Sequence, residues 1–188
     1  MTQERIGLFG GTFDPVHVGH LILAQDALEI LKLDRLLFLP ARISPYKIGS
    51  PPQASAEDRL AMLQLAMEGE SRFVVDPREL HREGPSYAIE TVRELQQEFP
   101  GATFFYLVGE DHASMLHGWK ESEELKEKVT FAFFVRGSSA PCHVPLLWRR
   151  LDISSTEIRE RCARGAAVSY FLPTPVFYYL EKKSLYQH

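Results

Sequence analysis

Apolar and polar positions along the chain fall into short buried strands separated by longer helices. Ile6-Gly7-Leu8-Phe9 reads as a buried strand, and Val18 to Leu31 is long and apolar enough for a buried helix. Arg35 to Pro40 is a second strand, closed by proline, so this first unit predicts a right-handed parallel crossover. Ser55 caps a helix, with Asp58 in the capping-box position and Leu60, Leu63 and Met67 as its apolar positions. Phe73 to Asp76 is a third strand. Ser86 opens a helix whose stripe is Ala88, Val92, Leu95 and Phe99, and Pro100-Gly101 stops it. Thr103 to Val108 is nearly all aromatic or aliphatic, which predicts a central strand covered on both faces. Val129 to Val135 is a fifth.

Ser154 with Glu157 forms a capping box, Ile153 with Ile158 a hydrophobic staple, and the helix they open ends at Gly165. Thr174-Pro175 starts a last helix, Val176 to Lys183. Residues 41–54 and 77–85 read as loops and 137–150 as irregular. Four or five strands alternating with helices predict an α/β fold, a doubly wound parallel sheet. At 188 residues the chain fits one domain, 1–188, with a small C-terminal helical element at about 153–188.

Composition narrows the function classes. The net charge of −4 argues against general affinity for nucleic acid, although a locally positive pocket could still take a small anion. No apolar run reaches the length of a membrane helix, and Met1 to Arg5 lacks a signal-peptide pattern, so no membrane and a cytoplasmic location are expected. Cys142 and Cys162 have no metal-type spacing and are read as free thiols.

The chemistry concentrates in Gly10-Gly11-Thr12-Phe13-Asp14-Pro15-Val16-His17-Val18-Gly19-His20, where the first strand turns into the first helix. A helix start presents unpaired N–H groups and the positive end of the macrodipole, which favours anions. Gly10 and Gly11 lack a Cβ, so a phosphate can approach the backbone. His17 and His20 are three apart, on one helix face, with Gly19 leaving space above it. The string fits neither G-x-G-x-x-G nor a Walker loop. Other signals follow strands. Arg42 and Lys47 lie in the long loop after the second strand. Gly109 and Asp111 follow the fourth, at the ligand end of such sheets. Asp111 could face a ribose or ammonium group or cap a helix, and Trp119 could stack on a ring or be buried. Ser154, Ser155 and Thr156 offer hydroxyls at a helix start, and Arg159 a fork of N–H donors on the same face.

The GGTFDPxHxGH string resembles the signature of the HxGH nucleotidyltransferases, and most closely that of the nicotinate-mononucleotide adenylyltransferases. Glu79 to Tyr87 is similar to that family's ELxRxGPSYT, Gly109-Glu110-Asp111 and Trp119 to its G-x-D and tryptophan, and Ile153 to Arg161 to its ISSTxIRxR. The tail from Tyr170 to Tyr186 is similar too. The resemblance implies a Rossmann-like nucleotidyltransferase fold and a reaction in which ATP and nicotinate mononucleotide give nicotinate adenine dinucleotide and pyrophosphate. It implies that His17 and His20 hold α-phosphate oxygens and that Gly10, Gly11, Thr12 and Phe13 supply a backbone cradle. Ser154, Ser155 and Arg159 would hold the β- and γ-phosphates, and Gly109 and Asp111 the adenosine. Lys47, Arg136 and Ile153 are placed with the ATP by the same resemblance, and Arg42, Ser86, Tyr87, Ala88 and Trp119 with the acceptor.

Mg²⁺ would arrive with the triphosphate, with no protein metal site, and a homo-oligomer is an expectation from the family alone. Two departures stand out. The family's PPHK is Ser44-Pro45-Tyr46-Lys47 here, and its SYT is Ser86-Tyr87-Ala88. The second removes a hydrogen bond to the ring carboxylate, worth about 1.5–3 kcal/mol. Competing readings are adenylyl transfer to nicotinamide mononucleotide or to another phosphate such as phosphopantetheine, a nucleotide-binding module without turnover, and metal-dependent hydrolysis at Asp14, His17 and His20. The last lacks an H-E-x-x-H or a third ligand cluster.

Overall fold

The computed structural model describes residues 3–45, 49, 51–109, 115–135, 146–148 and 151–187. Its strands are β1 (Arg5–Gly11), β2 (Arg35–Pro40), β3 (Phe73–Val75), β4 (Thr103–Gly109), β5 (Thr130–Val135) and β6 (Leu146–Trp148). Its helices are α1 (Val18–Ile30), α2 (Ala56–Met67), α3 (Arg78–His81), α4 (Ala88–Glu98), α5 (Ser122–Lys128), α6 (Ser155–Ala163) and α7 (Thr174–Lys183). A 3₁₀ turn, Leu116–Gly118, precedes Trp119.

The strands form one sheet in the order β3-β2-β1-β4-β5-β6, and every pairing is parallel. The chain winds outward from β1 one way and from β4 the other, so the doubly wound expectation holds. Strand alternation assigns the two faces. Phe9, Phe38, Phe105 and Phe134 pack with Leu28 of α1, Met62 of α2, Ile158 of α6 and Val176 and Leu180 of α7. Ile6, Leu8, Leu37, Phe104, Tyr106 and Phe131 pack on the other face with Ile89, Val92 and Leu95 of α4 and Leu125 of α5. Burial on both faces is why these strands read as continuous apolar runs.

Three expectations need correction. Residues 137–150 are not irregular throughout, because Leu146–Trp148 adds a sixth strand paired with Phe133, Phe134 and Val135. The stretch 77–85 contains the short helix α3. On α2 the buried side is Arg59, Met62, Leu63 and Met67, while Leu60 is half-exposed. Caps follow the sequence more closely. Ser55 Oγ accepts from the Asp58 N–H at 3.0 Å, and Ser154 Oγ from the Glu157 N–H at 3.1 Å. The β1–β4 boundary is the topological switch point, so the carboxyl ends of these two strands are where a crevice is expected.

Candidate active site

A cavity of about 660 Å³ opens at that switch point, a size ordinary for a small-molecule site. Its floor is the end of β1. A Cβ at Gly10 would lie 2.8 Å from the Tyr106 hydroxyl, and one at Gly11 would lie 2.9 Å from the Phe13 ring, so neighbouring aromatics already exclude side chains there. Phe13 itself has φ +49 and folds its ring into the core, 2% exposed. Gly10, Gly11, Thr12 and Phe13, the predicted cradle, all line the cavity.

His17 precedes α1 in extended conformation rather than lying on the helix face, and the helix begins at Val18. Its N–H donates to His20 Nδ1 at 3.2 Å. The two rings stack with centroids 3.7 Å apart. A nitrogen that accepts carries no proton, so the neutral His20 ring has its proton on Nε2. Burial pulls the His17 pKa down to about 4. Burial, and then the His17 charge, hold the His20 pKa well below its ordinary value. The cause is visible around His20, which is walled by Phe9 and Phe13 as well as His17. A Cβ on Gly19 would come 3.0 Å from His17 Nδ1 and 3.6 Å from Ile153 Cβ, so the glycine lets the His17 ring and the approach to α6 lie close to α1. The helix start is less open than the sequence implies. The Val18 N–H donates to Phe171 O and the His20 N–H to His17 O, both at 3.0 Å.

The second helix start closes the same cavity. Ser155 Oγ donates to Pro15 O at 2.9 Å and Arg159 Nη1 to Asp14 O at 2.8 Å. Ser155 is therefore first a tether, whereas Arg159 keeps a buried Nε with no hydrogen-bond partner among the described residues. Ile153, Ser154 and Thr156 line the cavity beside them. At the other end lie Gly109, Ser86, Tyr87, Ala88 and Trp119. Trp119 is half-buried, edge-on to Tyr106 at 5.6 Å and to Phe131 at 6.2 Å.

Two helix starts, joined by a bond between residues 140 apart in sequence, thus share one crevice with two imidazoles and a guanidinium. A family model described as cytidylyltransferase-like matches residues 8–161. The chain belongs to the cytidylyltransferase-like family. It is 45% identical over 190 residues, covering 98% of this chain and 97% of the relative, to a "Probable nicotinate-nucleotide adenylyltransferase" of Shouchella clausii. A protein of the same name from Thermus thermophilus is 44% identical, over 97% of this chain and all of that one. The fold is similar to the solved Plasmodium falciparum nicotinic acid mononucleotide adenylyltransferase complexed with NaAD. That match has a TM-score of 0.80 at 18% identity and covers 98% of both chains.

Within this cytidylyltransferase-like chain, most of the predicted site converges and some does not. Arg42 is exposed and does not line the cavity. Its Nη1 donates to Arg82 O at 3.1 Å, and its backbone N–H to Ser86 Oγ at 3.0 Å. The backbone of Arg42 holds Ser86, then, and its guanidinium is engaged at Arg82. Lys47, Asp111 and Arg136 lie outside the described residues, as does Cys142, while Cys162 is a buried free thiol.

Four residues outside the sequence-based assignment support the site. The Asp14 carboxylate, 4% exposed, accepts from the Gln53 and Ala54 N–H groups at 2.8 and 3.1 Å and from the Tyr186 hydroxyl at 2.7 Å. Burial and the bond to Asp14 push the Tyr186 phenol up, which keeps it a donor. Arg59, 1% exposed, donates from Nη1 to Thr12 O and Ala41 O at 2.8 and 2.7 Å. Glu79, whose pKa burial raises, accepts from Thr91 Oγ1 at 2.7 Å and sits behind Ser86. A buried charge on a helix's apolar side was the available sign for Arg59. Nothing local marks Tyr186.

Tyr186→Phe should cost about 1–3 kcal/mol, because a buried carboxylate loses a hydrogen bond. The midpoint of urea unfolding measures it, and a loss below a few tenths would refute the role. The histidines predict a pH dependence. The folded pKa of His17 lies below its unfolded value of 6.5, so its contribution is full above about pH 6.5 and fades as the pH falls toward 4. The loss is on the order of 3 kcal/mol, at about 1.4 kcal/mol per unit. Thermal unfolding across that window should fall less steeply in His17→Gln than in wild type, and parallel curves would contradict it.

Proposed function

We propose that this nucleotidyltransferase moves the adenylyl group of ATP to nicotinate mononucleotide, releasing pyrophosphate and giving nicotinate adenine dinucleotide. One observation carries the reading: the imidazole-bearing start of α1 and the serine- and arginine-bearing start of α6 wall one crevice, tied by the Ser155–Pro15 and Arg159–Asp14 bonds. A triphosphate laid across both would have its α-phosphorus near the imidazoles and its outer phosphates near Arg159. The names of the relatives support the same acceptor.

The chemistry then follows from positions and charges. The acceptor phosphate is already an anion, so no general base is required. A neutral His20 offers its Nε2–H to an α-phosphate oxygen, where negative charge grows in the transition state. His17 stacks against it and fixes its plane. Dry rings of low pKa do not repel each other before the triphosphate arrives, and their donors need no reorganisation when it does. Arg159 and the start of α6 favour charge that develops on the departing pyrophosphate. Tyr87, Ala88 and Trp119 form a flat slot for the pyridine ring. Residues of β1, β4 and β5 and Ala41 at the exit of β2 line this one cavity, which supports reading the chain as one domain.

The donor set fits a divalent ion carried on the nucleotide. Asp14 is the nearest carboxylate to the cradle, and both its oxygens are engaged by N–H and O–H donors. Among the described residues no three His, Cys, Asp or Glu side chains gather as a metal cage. Phosphate oxygens and water suit Mg²⁺, which keeps several waters and would neutralise part of the triphosphate charge.

Protein supplied with Mg-ATP should release pyrophosphate only when a pyridine mononucleotide is added. Nicotinate mononucleotide, nicotinamide mononucleotide and phosphopantetheine are the three arms of a pyrophosphate-coupled assay. Release with phosphopantetheine alone would overturn the reading. His20→Ala should lower kcat by at least about 10²-fold, the scale for one lost transition-state donor. A loss under about tenfold excludes that donor role.

A further inference from the structure

Among the described residues, the charged side chains lining the cavity fall into two groups by their contacts. Asp14 and Arg159 belong to the phosphate end, where the Arg159 guanidinium bonds the Asp14 carbonyl. Glu79 and Lys120 belong to the aromatic end. Glu79 is buried, with Thr91 and Ser86 donating to it, so its charge is not offered to a ligand. Lys120 is different. It follows Trp119 directly, its side chain is 42% exposed, and it lines the cavity. Its Nζ donates to Glu90 Oε1 at 2.7 Å and stands 4.5 Å from the centroid of the Tyr87 ring.

An ammonium has three donors, and Glu90 takes one. Glu90 and the Tyr87 face together hold the cation at the rim of the slot formed by Tyr87, Trp119 and Tyr106. Ala88, at the start of α4, adds only a methyl to the same wall. Arg42, the other basic residue expected here, turns to Arg82 O instead. The slot is therefore aromatic, and among the described residues Lys120 is the cation at its edge. Its shape suits a planar ring, and its charge suits an anionic substituent on that ring.

We propose that Lys120 is a specificity-determining residue. Its ammonium, held by Glu90 over Tyr87, favours an acceptor whose ring bears a carboxylate over one whose ring bears a neutral amide. This rests on the transferase reading above and adds the element that chooses between its two closest acceptors. Glu90 also raises the Lys120 pKa, so the cation persists through neutral pH. The effect is that of a partly exposed ion pair, so a factor of about five is expected rather than several orders of magnitude.

The test compares kcat/KM for nicotinate and nicotinamide mononucleotides in wild type, Lys120→Met and Lys120→Arg. The methionine keeps most of the stem over Tyr87 and removes the charge. Lys120→Met should lower the acid-to-amide ratio about fivefold through KM of the acid, with KM for ATP unchanged, and Lys120→Arg should restore most of it. Added salt should shrink the wild-type ratio and leave that of Lys120→Met nearly flat. An unchanged ratio in an active Lys120→Met variant, or equal losses on both acceptors, overturns the proposal and leaves the transferase reading standing. Wild-type protein inactive on both mononucleotides overturns the two together.

Discussion

The site depends on the join between residues 12–17 and the start of α6. Arg159 bonds the Asp14 carbonyl and Ser155 bonds the Pro15 carbonyl, so the loop that follows β1 is clamped from a helix far along the chain. The Asp14 side chain extends the clamp in the other direction, to Gln53, Ala54 and Tyr186. Burying a carboxylate costs several kcal/mol unless its lone pairs are met, and here three donors meet them. Arg59, buried beneath the same loop, holds Thr12 and Ala41 and lies within Coulombic reach of Asp14. The loop is thus fixed by polar bonds from β2's exit, from α2, from α6 and from the turn after α7.

That rigidity explains the imidazoles. Stacked 3.7 Å apart, two cationic rings would repel each other. Aromatic walls and mutual repulsion both favour the neutral pair, and the backbone bond from His17 assigns the proton of His20. The protein meets the cost of drying the rings during folding, so none is left for the moment of reaction. Gly19 is the steric condition, because a Cβ there would crowd His17 Nδ1 at 3.0 Å.

Much of this could be read along the chain, and the exceptions have physical causes. Parallel strands covered on both faces announce themselves as apolar runs, and Ser55, Ser154 and Thr174-Pro175 mark helix starts through local chemistry. β6 is three residues paired with one neighbour after a proline-bearing stretch, too short for a period to show. α5 buries only Leu125, so SEELKEK carries no apolar stripe. In the site, the histidines and the α6 serines follow a contiguous string, and their convergence agrees with the alternation that predicted the sheet. Tyr186 finds Asp14 across 172 positions and Arg59 finds Thr12 across 47, distances at which composition and spacing are silent. Arg42 shows the opposite failure. A basic residue in a long loop looked available to an anion, and a carbonyl at Arg82 claimed it.

The two ends of the cavity obey different electrostatics. At the end where the two helix starts meet, Ser155 and Arg159 are bonded to backbone carbonyls of the loop, so substitutions there also unsettle the clamp. At the ring end Lys120 sits at a solvent rim, paired with Glu90, where salt screens it and a substitution leaves the core untouched. Groups fixed by the fold therefore suit the proposed bond-making step, which must be preorganised. A rim charge suits the choice between two acceptors that differ by one charge, because its effect is small, tunable and separable from turnover.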